Sequence, residues 1–344
     1  MSSIPLHPLG KNGPLIPAMG FGCMGLSAYY TSNPAPDEER FAVLDRAAEL
    51  GETFWITSDV YNDSEDLLGK WFARTNLRSR ILLATKFGYE DQGAGAYPAL
   101  RSDPEFVKAA CAKSLKRLGI LKIDLYLAHR MDGKTPIEKT VQAMAELKQE
   151  GKIDYLGLSE VSAATLRRAH AVHPISAIEV EYSPFALDIE SEQINLLKTC
   201  RELGVAVIAY SPLGRGMLTG AYKSPDNLDA NDMRRLLPRF SPENFPKNLK
   251  MVEEFSAFAE KKGCKPGQLA LAWLMAQGDD IFPIPGTTKV KYLEENIGAV
   301  NIYLTDAEIG ALRGIIEATE IHGMRYPEGF TAETFRDTPP LILD

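Results

Sequence analysis

Three side chains that can hold or donate a proton follow short apolar segments of the chain, namely Tyr61, Lys86 and His129. A phenol, an amine and an imidazole together suit acid catalysis at a carbonyl oxygen. The phenol donates the proton, the ammonium lowers the pKa of the phenol and stabilises the developing phenolate, and the imidazole orients the substrate. Because no protein side chain supplies a hydride, reduction of a carbonyl here requires a bound hydride donor.

Further polar residues stand at the corresponding point after other apolar segments. They are Arg130, Ser159, Glu160, Glu179, Glu181, Tyr210, Ser211 and the run Gly286–Lys289. Each of them alone has an ordinary explanation, because single polar side chains usually pack against the surface or contact solvent. Their repeated position predicts one shared site if the segments are strands that end at one edge of a sheet.

Apolar, β-branched segments alternate about eight times with longer segments whose apolar residues recur at helical spacing. This alternation predicts eight strand–helix units. We expect strands at Phe21–Leu26, Thr53–Tyr61, Ile81–Tyr89, Ile123–Arg130, Tyr155–Ser159, Ala177–Ser183, Val205–Leu213 and Ile281–Pro285. We expect helices at Asp37–Leu50, Ser64–Arg74, Pro104–Leu118, Pro136–Glu150, Ala163–His170, Glu190–Leu203, Leu249–Lys262 and Val290–Val300.

Several of these strands are continuously apolar, which is typical of a parallel sheet that is buried on both faces. Eight strand–helix units predict the α/β class and a single (β/α)8 barrel, or TIM barrel, over residues 1–344, with its active site at the carboxyl ends of the strands. Outside the repeat we expect an N-terminal hairpin at Ser2–Pro17 that covers the base of the barrel. A long loop, Ser211–Lys247, follows the seventh strand, and the tail His322–Asp344 is expected to lie against the barrel.

Composition excludes several classes of protein. The 344 residues are 45% hydrophobic and 24% charged, as in a folded globular protein. With 38 basic and 46 acidic residues and no basic stripe, nucleic acid is not an expected partner. No apolar run reaches the ~20 residues of a membrane span and no signal sequence is visible, so we expect a cytoplasmic protein without a membrane partner, as a monomer or weak homo-oligomer. Cys23, Cys111, Cys200 and Cys264 lack metal-binding spacing, and we expect no metal site.

Several motifs, in one consistent order, make the sequence similar to the aldo-keto reductases, and most of all to the branch with pyridoxal reductases and related aldehyde reductases. The motifs are GFGCMG (20–25), TSDVY (57–61), EDLLGK (65–70), LATKFG (83–88), DLYLAHR (124–130), GLSEVS (157–162), EYSPF (181–185), AYSPLGRGMLTG (209–220), PIPGT (283–287) and LEEN (293–296). The resemblance spans nearly the whole chain. It implies a reductase that binds NADPH at the end of a barrel, without a Rossmann motif.

The resemblance also implies individual roles. Tyr61 becomes the proton donor, Lys86 the group that lowers its pKa, and His129 the residue that orients the substrate. Ser159 and Glu179 would contact the nicotinamide carboxamide, and Tyr210 would stack under the nicotinamide ring. The remaining cofactor positions that the resemblance implies are Gly22, Cys23, Met24, Ser211, Leu213, Gly214, Arg215, Gly216, Gly286, Thr287, Thr288, Lys289, Glu295 and Asn296. The loop after the seventh strand would hold the pyrophosphate. The positive charge of Lys289 would favour NADP over NAD.

The sequence departs from the family pattern at three positions, Ile56, Asn62 and Glu179. Ile56 stands five residues before Tyr61, where the family has an aspartate that pairs with the lysine. Asp59 is not expected to replace it, because side chains alternate along a strand. Lys86 is therefore expected to lack a carboxylate partner and to have a lowered pKa. Asn62 replaces a glycine and tolerates positive φ, and Glu179 replaces a glutamine and so loses a donor.

The residues support one leading function and leave two alternatives open. The leading function is NADPH-dependent reduction of a small aldehyde or ketone to an alcohol, weakened or altered by Ile56. Because Ile56 and Glu179 both change groups that tune hydride transfer, a non-redox isomerase or dehydratase on the same barrel is one alternative. The other is a non-catalytic NADPH-binding subunit that resembles the β subunits of potassium channels. The segments expected to shape the substrate pocket predict no particular substrate; they are Ala28–Pro36, Gly88–Leu100, Tyr222–Phe245 and the tail.

Overall fold

A computed structural model describes residues 4–30, 34–93 and 97–342 of the chain. Eight parallel strands, β1 to β8, form one sheet in which each strand is bonded to the next in chain order. The strands are β1 (Phe21–Gly22), β2 (Phe54–Ile56), β3 (Leu82–Phe87), β4 (Ile123–Ala128), β5 (Ile153–Ser159), β6 (Ala177–Glu181), β7 (Ala206–Tyr210) and β8 (Ile281–Pro283). The predicted α/β barrel is confirmed.

Backbone hydrogen bonds join the first strand to the last and close the barrel. The amide of Gly20 donates to the carbonyl of Pro283 at 3.0 Å, and the amide of Gly22 donates to that of Pro285 at 3.1 Å. The two chains approach so closely that a Cβ on Gly22 would lie 2.9 Å from the carbonyl oxygen of Ile284. A glycine is therefore needed at this seam.

Helices surround the barrel on its outer face. They are α1 (Asp37–Glu49), α2 (Ser64–Thr75), α3 (Pro104–Leu118), α4 (Ile137–Gln149), α5 (Ala163–Val172), α6 (Leu196–Leu203), α7 (Phe245–Lys262), α8 (Pro266–Met275), α9 (Val290–Ile297), α10 (Asp306–Ala318) and the short α11 (Glu328–Thr331). No helix in these described ranges is both long and apolar enough to cross a membrane.

Three of these helices, α8, α10 and the short α11, were not predicted. Helix α8 is buried on nearly every side, so its sequence has no polar face and no helical periodicity. Helix α10 begins with a capping box, in which Thr305 caps the backbone of Glu308 and the Glu308 side chain returns to Thr305. That pair was a visible sequence signal for a helix start.

Several predicted boundaries are wrong at the carboxyl ends of the strands. The segment predicted as a strand at 53–61 is regular only as far as Ile56, and the amide of Tyr61 donates to the carbonyl of Ser58 in a turn. The strands end earlier than predicted because their last residues turn away from the sheet to form the rim of the barrel. One helix boundary is also wrong, since the helix predicted from Glu190 begins at Leu196.

An apolar cluster fills the interior of the barrel, separate from the larger core between strands and helices. Its members are Leu9, Ile16, Phe54, Ile56, Ala84, Leu125, Leu127, Ala177, Ala206, Ile208, Phe282 and Ile284. Leu9 and Ile16 come from a two-stranded hairpin, Leu6–Pro8 with Leu15–Pro17. Because the amide of Lys11 bonds to the carbonyl of Gly204, just before β7, this hairpin covers the base of the barrel as predicted. Ser2 and Ser3 of that prediction lie outside the described residues.

The two irregular segments outside the repeat lie where the sequence places them. The loop after β7 contains short 3-10 turns, the first at Gly214–Thr219, before α7 begins. The tail packs on the barrel, since Arg168 donates to the carbonyl oxygens of Thr338 and Pro339. Leu343 and Asp344 are not among the described residues.

The carboxyl of Glu52, just before β2, generates a stability prediction. It is fully buried and neither of its oxygens has a hydrogen-bond partner among the described residues, so burial raises its pKa well above the usual value. Because the folded-state pKa exceeds the unfolded one, the folded protein loses stability as the pH rises above about 4.3. We expect Glu52→Met to stabilise the protein by about 1–3 kcal/mol near pH 7, and by less near pH 5.

Urea unfolding of both proteins at several pH values measures this difference. Replacement of the exposed Glu260 of α7 by Met is the matched control, and it should change stability little. A Glu52→Met gain that does not grow with pH would contradict the interpretation.

Candidate active site

The three predicted catalytic side chains meet at the carboxyl ends of β2, β3 and β4. Lys86 lies in β3, His129 directly follows β4, and Tyr61 lies in the turn before α2. The Lys86 Nζ atom is 5.2 Å from the centroid of the Tyr61 ring. The ring centroids of Tyr61 and His129 are 5.7 Å apart, with the ring planes at 87°. All three side chains are buried, so a phenol, an amine and an imidazole share one dry corner of the rim.

The His129 imidazole is held in a fixed orientation and is neutral. Its Nδ1 atom lies 3.1 Å from Oγ of Ser58, and its backbone amide donates to the carbonyl of Phe87 at 2.7 Å. Burial lowers the pKa of His129 well below the usual value, and the charges of Lys86 and Arg130 act in the same direction. Sequence reasoning missed Ser58, although it lies inside the TSDVY motif that carried the resemblance.

The Tyr61 phenol keeps its proton in this environment. Burial raises the pKa of Tyr61 well above the usual value, and the negative charge of Glu179 adds to that effect, while Arg130 opposes it. Lys86 is not among the groups that dominate this shift, so its effect on the pKa of the phenol stays a prediction.

Lys86 has a carboxylate partner, which corrects the expectation from Ile56. Its Nζ atom lies 3.0 Å from Oε2 of Glu179 and donates to the carbonyl of Thr57 at 3.0 Å. Lys86 is only 1% exposed, and burial lowers its pKa while Glu179 acts to raise it. Ile56 belongs to the apolar interior cluster, as expected of a barrel-filling residue. Sequence reasoning missed the pair because β3 and β6 are on different sides of the barrel.

Asn62 and Asp59 behave as the sequence predicts. Asn62 has φ of +46°, a value that asparagine tolerates where the family has glycine, and its amide donates to the carbonyl of Ser27. Burial raises the pKa of Asp59 to about 7, and the charges that act on it are Glu65, Lys113 and Arg117 rather than Lys86. Asp59 does not replace the missing aspartate.

Ser159, at the end of β5, contacts a buried guanidinium. Nη1 of Arg130 donates to Oγ of Ser159 at 3.1 Å and to the carbonyl of His129 at 2.8 Å. The hydroxyl hydrogen of Ser159 remains available to an acceptor such as a carboxamide oxygen. Arg130 thus links His129 to the position that the resemblance assigns to the nicotinamide.

The tail of the chain fixes the ring of Tyr210. The Tyr210 hydroxyl donates to Oε1 of Glu160 at 2.8 Å and lies 3.0 Å from the hydroxyl of Tyr326. Nη2 of Arg325 donates to the same Tyr210 oxygen at 2.9 Å. Sequence reasoning missed Arg325 and Tyr326, because the tail has no periodicity that would predict its path.

The loop after β7 has an unusual backbone conformation. Ser211, Gly214, Arg215 and Gly216 all have positive φ, between +51° and +93°. Two of these four residues are not glycine, and such conformations cluster at ligand-binding sites. The amides of Gly214 and Gly216 donate to the carbonyls of Ser211 and Leu213 at 2.9 and 3.0 Å, so hydrogen bonds within the loop hold this shape.

Three guanidinium groups beside this loop surround the carboxylate of Glu181. Nε of Arg325 donates to it at 3.1 Å, and the nearest nitrogens of Arg215 and Arg239 are 3.6 and 3.5 Å away. Nη2 of Arg215 and Nη1 of Arg325 are buried and have no hydrogen-bond partner among the described residues. Buried donors of this type fit the oxygens of a phosphate, and a pyrophosphate would satisfy them.

The remaining predicted cofactor residues lie around β8 and the seam. Thr287 accepts the amide of Lys289, and the Lys289 side chain is 61% exposed, with Nζ 3.9 Å from Glu39. Asn296 is buried in α9, next to Glu295. Gly286, Thr287, Thr288 and Lys289 follow β8, and α9, with Glu295 and Asn296, comes directly after them. Strand β8 pairs with β7. The loop after β7 contains the other predicted cofactor residues, Ser211, Leu213, Gly214, Arg215 and Gly216.

Residues Gly22, Cys23 and Met24 follow β1 at the closing seam. The Cys23 amide donates to the carbonyl of Ile56 at 2.9 Å, and its side chain is fully buried. Burial raises the pKa of the Cys23 thiol, so this group is an unreactive thiol rather than a rim residue. The Cys23 side chain cannot face a ligand, so only the backbone of this residue can do so.

Comparisons with known proteins identify the family of this chain. The model of the Aldo/keto reductase family matches residues 18–317. The chain is 54% identical over 326 residues to the aldo-keto reductase str7 of Strobilurus tenacellus, covering 94% of this chain and 95% of that protein. It is 50% identical over 341 residues to the aldo-keto reductase yakc [NADP(+)] of Schizosaccharomyces pombe, covering 98% and 99%.

Solved structures show the same architecture. The thermostable aldo-keto reductase Tm1743, in a complex with the inhibitor epalrestat, superposes with a TM-score of 0.72 at 27% identity, covering 90% of this chain and 99% of that one. The glycerol dehydrogenase AKR11B4 from Gluconobacter oxydans superposes over all of both chains with a TM-score of 0.81, at 24% identity. The chain belongs to the aldo/keto reductase family and is an oxidoreductase.

Proposed function

We propose that this chain uses NADPH to reduce a small aldehyde or ketone to an alcohol, with Tyr61 as the proton donor. One observation carries the proposal: Tyr61, Lys86 and His129 meet in a dry corner of the rim, on the same edge as buried donors that suit a dinucleotide phosphate. Family membership supports the reaction class, and the geometry supports the roles proposed for the residues.

Tyr61, His129 and Lys86 have separate roles at the carbonyl oxygen of the substrate. Tyr61 enters the reaction protonated, because burial raises its pKa, and gives that proton to the oxygen as the alcohol forms. His129 is neutral, and its Nε2 can donate to the same oxygen in the tautomer in which Nδ1 accepts the Ser58 hydroxyl. Lys86 lies beside the ring that becomes a phenolate and stabilises its charge. When bound, NADPH supplies the hydride.

Residues on two flanks of the rim would hold the dinucleotide. Arg215 and Arg325 offer the pyrophosphate buried N–H groups that have no hydrogen-bond partner among the described residues, while Tyr210 provides a flat ring that the tail holds in place. Lys289 supplies an exposed positive charge where a 2′-phosphate would lie, and the relative from Schizosaccharomyces pombe is named for NADP(+). We therefore assign NADP rather than NAD to this chain.

The wall beside the catalytic corner suits a planar, aromatic carbonyl compound. The Tyr89 ring packs edge-to-face on His129 at 5.1 Å, and Tyr29 packs on Tyr61 at 6.0 Å. Tyr97 and Phe330 extend this wall to the surface, with ring centroids 5.1 Å apart. Aromatic side chains arranged in this way bind flat rings by edge and face contacts.

The geometry weakens the reasons for the two alternative functions. The isomerase hypothesis rested on changes at Ile56 and Glu179 to groups that tune hydride transfer, and Glu179 gives Lys86 the carboxylate that Ile56 does not. The non-catalytic subunit hypothesis requires a site that no longer needs its proton donor, whereas the phenol, amine and imidazole are all present. Both remain as outcomes of the assays below.

The first assay tests the proton donor. Incubation with NADPH and a panel of aromatic aldehydes should consume the cofactor and give products heavier by two hydrogens. Tyr61→Phe should lower kcat by roughly 10²–10⁴-fold and leave the NADPH Kd within about threefold.

Replacement of the exposed Tyr303 by Phe is the matched control and should change neither value. Full activity of Tyr61→Phe would contradict the role of Tyr61. A product of unchanged mass would favour the isomerase, and tight NADPH binding without turnover on any carbonyl would favour the subunit.

The second assay tests the choice of dinucleotide. Lys289→Gln should raise the Kd of NADPH by about five- to tenfold and leave that of NADH unchanged, because only NADPH carries the 2′-phosphate. Fluorescence titration measures both constants, with the exposed Lys261→Gln of α7 as the control. An equal loss for both cofactors would contradict the assignment.

A further inference from the structure

Lys86 has its carboxylate partner on β6, not on the neighbouring strand where the family has it. Position 56 on β2 is opposite Ala84 of β3, and Ala84 faces the barrel interior. Because side chains two residues apart in a strand share a face, Lys86 also points inward. A carboxylate at position 56 would face the same space as Lys86, and the chain has isoleucine there.

Glu179 reaches that space from β6. It stands opposite Ser159 of β5 and Ile208 of β7, and Ala177, two residues earlier, belongs to the interior cluster. Glu179 therefore shares the inward face of β6 and is only 4% exposed. Its Oε2 atom is buried and accepts no hydrogen bond from the described residues, and the Lys86 ammonium, 3.0 Å away, is its ion-pair partner.

The negative charge of Glu179 balances the positive charge of Lys86. The titratable groups that act on or contact this ammonium are Glu179 of β6, Arg130 and His129 after β4, Cys23 after β1 and Tyr61 after β2. Glu179 is the one carboxylate in this set. A buried ammonium without a carboxylate loses its proton easily, and a neutral amine stabilises a phenolate poorly.

We propose that Glu179 is the positioning residue for Lys86, and that it supplies from β6 the negative charge that Ile56 cannot supply from β2. The inference rests on the proposed function for its kinetic consequence. Among the described groups that act on Lys86, Glu179 is the one carboxylate, so the two positions are coupled: an acid at 56 is useful only when the acid at 179 is absent. Glu179 thereby serves the amine rather than the nicotinamide carboxamide.

A set of four variants tests this coupling. They are Glu179→Gln, Ile56→Asp, the double variant Ile56→Asp/Glu179→Gln, and the control Ile56→Asn/Glu179→Gln, which has the shape of aspartate without its charge. Glu179→Gln should lower kcat by roughly 10- to 100-fold and move the alkaline loss of activity to lower pH, because Lys86 then loses its proton sooner. The double variant should recover at least about tenfold in kcat, and the asparagine control should recover nothing.

Ile56→Asp alone should bring no gain, because it adds a second carboxylate to one ammonium. If Glu179→Gln keeps kcat and its pH profile while its NADPH Kd rises, Glu179 binds the cofactor and the proposal is wrong. Equal recovery by the aspartate and asparagine variants would also overturn it.

Thermal unfolding separates this proposal from the proposed function. Glu179→Gln should lower Tm by roughly 5 °C near pH 7, the aspartate double variant should restore it, and the asparagine control should not. This pattern in a chain that reduces no carbonyl would leave the ion pair established and the reductase rejected. If Glu179→Gln fails to fold, folding of only the aspartate double variant supports the pairing, and failure of both overturns it.

Discussion

A buried ammonium is the constraint on which the rest of this site depends. Burial of an unpaired charge is costly, and proteins accept it only when a partner and hydrogen bonds compensate. Lys86 has both, from the carboxylate of Glu179 and the carbonyl of Thr57. The pair is close to neutral as a unit, so Tyr61 keeps its proton in a dry pocket and remains able to donate it.

The barrel makes this pairing possible because its strands bring distant parts of the chain to one axis. Lys86 and Glu179 are far apart in sequence, on β3 and β6, yet both project inward just above the apolar filling. The closing seam at Gly22 holds the first and last strands in register. Tyr61 and His129 lie where β2 and β4 end, and their fixed turns place the rings beside the ammonium.

Much of this arrangement could be predicted from the sequence, because it follows from local patterns. The alternation of strands and helices predicts the barrel, and the positions of Tyr61 and His129 after β2 and β4 predict that both residues lie on its rim. The Lys86–Glu179 pair could not be predicted, since contacts across a barrel depend on register and side-chain reach. Arg325 and Tyr326 were missed for a related reason: the tail that carries them follows no periodic pattern and is positioned only by its contacts.

The most direct test of the central claim is the titration of Lys86 itself. Nuclear magnetic resonance of the side-chain nitrogen, assigned with Lys86→Met, would follow its protonation in the unmodified chain and in Glu179→Gln. Burial lowers the pKa of this ammonium and Glu179 acts to raise it, so the midpoint should lie below that of an ordinary lysine and fall further in the variant. Equal midpoints in the two proteins would show that Glu179 does not hold the charge of Lys86.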